Sequence, residues 1–135
     1  RRRDRTMRKT TQHGLAIACS VLVSVGMAAS AQEATELFIP IGQSPDLSNE
    51  VTVIGTIESV DAAARTLVVK TDSGSATAAT TEKTTIYLDR SRRKESNRYG
   101  AFEDLKEGAR VEVLYVGRKR AAGGPAEWVK VEVAP

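Results

Sequence analysis

Beyond residue 31 this 135-residue chain has no histidine and no cysteine; its single His and single Cys are His13 and Cys19. A Ser–His–Asp triad, a thiol nucleophile, a disulfide framework and an ordinary Cys/His zinc site are therefore excluded from residues 32–135. Aromatic residues are scarce at 4% of the chain, and none lies between Val51 and Thr81. Single-strand nucleic-acid binders stack bases on aromatic side chains, so nucleic acid is disfavoured as a partner. An excess of positive charge is missing as well. The chain carries 20 Lys+Arg against 17 Asp+Glu, yet six of the basic side chains and one acid fall in residues 1–31. Residues 32–135 keep 14 basic and 16 acidic side chains, a net of −2, without the basic footprint of a nucleic-acid binder. The long uncharged run Gly14–Ala28 has 15 residues, short of the roughly 20 that a spanning helix needs.

What is present at the start has the parts of a secretory signal. Met7 is followed by the positive pair Arg8-Lys9, then by the uncharged run, then by Ala29-Ser30-Ala31 as a small-x-small cleavage site. Cleavage is expected between Ala31 and Gln32, which leaves no permanent membrane anchor and a periplasmic or secreted product. Residues 1–6 are expected to be an upstream extension and 7–31 the signal peptide. Cys19 as a lipoprotein site would leave only Gly14–Ala18 as apolar core, well below the usual length, so Cys19 fits better inside the run.

Residues 32–49 read as an extended N-terminal arm, because Pro40 and Pro45 oppose a regular helix. From Glu50 the chain alternates like half-buried strands. Val51, Val53, Gly55 and Ile57 share one face, with a bulge expected near Gly55 or Ser59. Arg65–Thr71 is a second strand, and Asp72-Ser73-Gly74 a tight turn. Ser75–Thr81 is a weak third strand that Thr84–Asp89 extends or follows. Ser91–Gly100 has no apolar period and reads as a solvated loop, and Ala101–Lys106 as a short helix ended by Gly108. Two strands close the domain, with Val111, Val113, Tyr115, Val129, Val131 and Val133 inward. Arg110, Glu112, Lys130 and Glu132 are expected to point outward. The fold class expected for residues 50–135 is mainly β: a small OB-like antiparallel barrel of five to six strands with one short helix. An open antiparallel sheet or a small sandwich is the alternative.

Four segments occur in order: Val53–Asp61 (VIGTIESVD), Arg65–Val69 (RTLVV), Thr84–Asp89 (TTIYLD) and Phe102–Val113 (FEDLKEGARVEV). Together they resemble a family of small exported bacterial domains catalogued as a domain of unknown function. The resemblance implies an OB-like barrel and export, and it carries no catalytic residue.

Two features are candidates for function. The first is positive charge in two loops: Arg90, Arg92, Arg93, Lys94 and Arg98, then Arg118, Lys119 and Arg120. Converging, they would make a basic rim for an anionic polymer. Apart, they are solvated loops that also keep strand edges from pairing. The second is the apolar stretch around Phe38, Ile39 and Ile41, with Trp128 on the outward parity of its strand. These residues cover one end of the barrel or dock on a protein partner in the cell envelope. Neither pattern pairs carboxylates for acid–base work, and no calcium loop is recognisable. The expectation is an exported, non-enzymatic binding or assembly module of the bacterial envelope, with no cofactor and no metal. A polyanion-binding module using the two basic loops is the alternative.

Overall fold

A computed structural model of the chain describes residues 35–135. The expected leader and its cleavage site lie outside the described residues. Among the described residues seven strands form: β1 (Val53–Asp61), β2 (Thr66–Thr71), β3 (Gly74–Ala79), β4 (Thr85–Asp89), β5 (Arg98–Tyr99), β6 (Arg110–Tyr115) and β7 (Gly124–Glu132).

Strands β1, β2, β3, β7 and β6 close into a five-stranded OB-like barrel. The sheet runs β3-β2-β1-β6-β7-β4-β5, and the barrel is shut by a parallel pairing of β3 with β7 at Ala78–Gly124 and Ala79–Pro125. Strand β4 then continues the line of β3 along β7, in parallel register from Thr85–Trp128 to Asp89–Glu132. The interruption is a threonine-rich step. Thr80 turns back to the Arg65 carbonyl, while the Thr84 hydroxyl donates to the Ala126 carbonyl at 2.7 Å in place of a ladder bond.

Alternation places the inner face as the sequence leads one to expect, except at Val51, which precedes β1 and lies against the outer cluster of Leu47, Tyr87, Leu114 and Trp128. Val53, Ile57, Leu67, Val69, Val111, Val113, Val129 and Val131 form one buried cluster. The register of β1 on β2 slips between Ile57 and Ser59, where the bulge was expected. Gly55 is demanded by a close approach: a Cβ there would lie 2.1 Å from the Lys70 carbonyl oxygen. The segment after Gly100 is tighter than a short helix. It is one 3₁₀ turn, Phe102–Asp104, closed by the Ala101 amide donating to Asp104 Oδ2 at 2.8 Å. That turn drops Phe102 and Leu105 into the barrel core.

Three expectations need correction. From Thr35 onward the arm is not extended: the helical residues Thr35 and Glu36 lead into a succession of turns, with bonds such as Gln43 N to Pro40 O and Val51 N to Leu47 O. Positive φ at Gly42, Asp46 and Asn49 bends it, at residue types that tolerate left-handed backbone. Nor are Glu112 and Lys130 exposed; both are wholly buried. They point outward from the barrel, but the arm crosses that outer face and covers them. The segment 91–100 is likewise not all solvated loop, because Asn97 is buried and Arg98–Tyr99 pairs with β4.

Candidate functional site

The arm and the outer face of β4, β6 and β7 form a second interior. Leu47 packs with Tyr87, Leu114 and Trp128, and Leu37 and Val51 lie against them. Four buried polar side chains of the barrel half bind the arm. Lys130 Nζ donates to Glu36 Oε2 and to the Ile39 carbonyl, both at 2.8 Å. Glu112 accepts from the Gly42 amide and from the Ser48 and Thr52 hydroxyls. Asp89 Oδ2 accepts from the Ile41 amide at 2.9 Å, and Asn97 Nδ2 donates to the carbonyls of Glu36 and Ile39.

This settles where the proposed docking residues lie. Ile41 and Trp128 are 4% and 3% exposed and meet the protein's own interior, so neither is available to a partner. Ile39 is half-buried, and Phe38 alone of the four stands out, at 74% exposure. The arm covers the side of the barrel, not its end. Parity pointed to Trp128, Glu112 and Lys130 as outward residues; the structure sets Glu112 opposite Lys130, and nothing local announced their burial.

The two basic loops do not converge. Residues 90–98 follow β4 and so lie beside the last residues of β7, whereas Arg118, Lys119 and Arg120 precede its first. The nine residues of β7 separate them, about 3.3 Å each. Arg120 Nη2 donates to the Thr52 carbonyl at 2.8 Å, while Arg118 and Lys119 are exposed. Nearby, Tyr115 donates to the Thr77 carbonyl at 2.7 Å; burial pushes its phenol up from the ordinary value, against an opposing pull from Arg120.

At the other end, much of the positive charge is already engaged. Arg90 pairs with Glu95, and its guanidinium is lowered by desolvation and then by the nearby Arg98 and Arg93. Arg93 Nε donates to the Ala134 carbonyl at 2.8 Å. Arg92 Nη1 lies 3.3 Å from Glu132 Oε1, and Arg110 Nη1 lies 3.9 Å from Glu132 Oε2. Lys94, in left-handed backbone at φ 56°, and Arg98 on β5 are exposed.

Between this loop and the start of β6 lies a groove of about 470 Å³. Its walls are Leu88, Ala109, Val131 and Val133, and its charged lining is Arg92, Lys106 and Arg110 with Asp104 and Glu132. Lys106, Arg110 and Glu132 were not singled out by sequence. They are distant in the chain, and only the closure of the barrel brings them to the same end as Arg92. Among the described residues, no cluster of three or more His, Cys, Asp or Glu is placed to hold a metal ion.

No family model matches the chain, and no curated protein matches it. Among solved structures, a Cu(II) form of a tryptophan-to-alanine variant of CusF from Escherichia coli aligns with 59% of this chain and 88% of its own, at 12% identity and a TM-score of 0.41.

Proposed function

We propose that the protein is an exported, non-enzymatic binding module of the bacterial cell envelope, with its ligand face at the end of the barrel where β7 finishes. The groove lined by Arg92, Lys106 and Arg110 over an aliphatic wall is the observation that carries this reading. Its volume falls within the range of ligand pockets, which combine apolar walls with a few convergent polar groups. Export rests on the leader, and the non-enzymatic character on the lack of His and Cys after residue 31. The resemblance to exported barrel domains of unknown function agrees with both.

An anionic polymer is a second reading, favoured by the closeness of Arg90, Arg93 and Arg98 on the same end. Heparin binding across a salt series, beside an Arg92→Glu/Arg93→Glu variant, separates the two. Polymer binding is expected to weaken steeply with salt, and the paired substitution to abolish it. Absence of heparin binding at low salt removes the polymer and leaves the groove. A module whose ligand face is elsewhere would bind neither heparin nor a small anion at this end.

A further inference from the structure

Resting on the reading of this end as the binding face, we propose that the groove takes a single-chain amphiphile with one anionic head, of the fatty-acid carboxylate type. The lining has two characters. Leu88, Ala109 and Val133 are half-buried aliphatic residues, continuous with the buried Val131. Arg92 and Arg110 stand beside them with side chains 53% and 51% exposed, each in an ion pair with Glu132. An alkyl chain laid on the aliphatic wall leaves water, and its head reaches the guanidiniums, which match a carboxylate in shape.

The charge count selects a monoanion. Three cations, Arg92, Lys106 and Arg110, face two carboxylates, Asp104 and Glu132, in the same lining. One net positive charge suits a single negative head, and the two acids repel a multiply charged one. Asp104 is held by the Ala101 amide. Glu132 bridges Arg92 and Arg110 and so acts as their counter-ion in the unliganded protein. A bound head replaces it there. No aromatic ring lines the groove, which gives a nucleobase nothing to stack on.

The test titrates the whole chain with decanoate, butyrate, decyltrimethylammonium and anionic vesicles, read as amide NMR shifts at Val131–Ala134. Decanoate is expected to bind at least about tenfold tighter than butyrate, since each buried methylene contributes. Arg110→Glu weakens decanoate about tenfold or more, whereas Glu132→Gln tightens it about tenfold by removing the competitor. The Arg110 side chain is 51% exposed and that of Glu132 18%, and far-UV circular dichroism checks that each variant folds. Equal affinity for butyrate, preference for the cationic amphiphile, shifts with vesicles alone, or no gain in Glu132→Gln overturns the amphiphile; a butyrate or heparin response at these amides then still upholds the binding face. Silence from decanoate, butyrate and heparin alike overturns both.

Discussion

A lysine with no exposed surface is tolerated only when its three donors are filled and its charge is met. Lys130 fulfils both conditions: Glu36 and the Ile39 carbonyl take two bonds, the Ser44 hydroxyl lies at 3.4 Å, and the Trp128 ring stands 4.9 Å away. Glu36 Oε2 also accepts from Ser44. Removing one member of such a pair leaves the other buried and unmatched, which typically costs about 3–5 kcal/mol. Replacing both with apolar residues is often close to neutral. Lys130→Met is therefore expected to destabilise by about 3 kcal/mol, the low end, because release of the arm lets Glu36 reach water. Glu36→Leu together with Lys130→Met is expected to recover most of that loss. Urea unfolding of the two single variants and the double variant checks it. Single variants within about 0.5 kcal/mol of the parent, the range of ordinary surface substitutions, would reduce the pair to a bystander.

At the scale of elements, the arm shows where alternation stops being informative. Period two tells which side of a strand faces the barrel, and Val111, Val113, Val129 and Val131 obey it. It does not tell whether the other side meets water. Glu112 and Lys130 looked like solvent residues because charge normally marks the exposed face; the segment that buries them is 60 or more positions away along the chain. The prolines at 40 and 45 kept a helix out of Phe38–Pro45, but the bends came from Gly42, Asp46 and Asn49. The arm's docking has a built-in reporter, since Trp128 is the chain's one tryptophan and lies beneath it. Leu47 is the arm residue that seals this cluster, 4% exposed. Leu47→Asp puts an unpaired charge there, so the arm is expected to lift. The Trp128 emission should move to the red and become open to iodide quenching, while far-UV circular dichroism keeps its β signal. An unshifted emission would mean that the arm docks without Leu47.

For the whole molecule, β7 is the axis on which fold and site both depend. It carries β3 and then β4 on one edge and β6 on the other. Its length keeps the two basic loops at opposite ends, and its last residues meet the start of β6 to make the groove. Strand order and hairpins were legible in turn residues and period. A barrel was legible in the element order, but it was expected to be antiparallel; the parallel closure was not legible, because no local pattern encodes a pairing between residues 46 positions apart. The groove was hidden for the same reason: Arg92, Arg110 and Glu132 become neighbours only after closure. Barrel and arm also share β7, Trp128 and Lys130 on its outer face and Val129 and Val131 on its inner. Unfolding is therefore expected to be one cooperative transition, with tryptophan fluorescence and circular dichroism coinciding in urea. Val113→Ala, a cavity in the inner cluster, should lower stability by about 2–3 kcal/mol and shift both probes together. Leu47→Asp should separate them, with fluorescence changing first. Probes that already separate in the parent protein would make the arm an independent unit, and the buried Lys130–Glu36 pair a latch that opens before the barrel does.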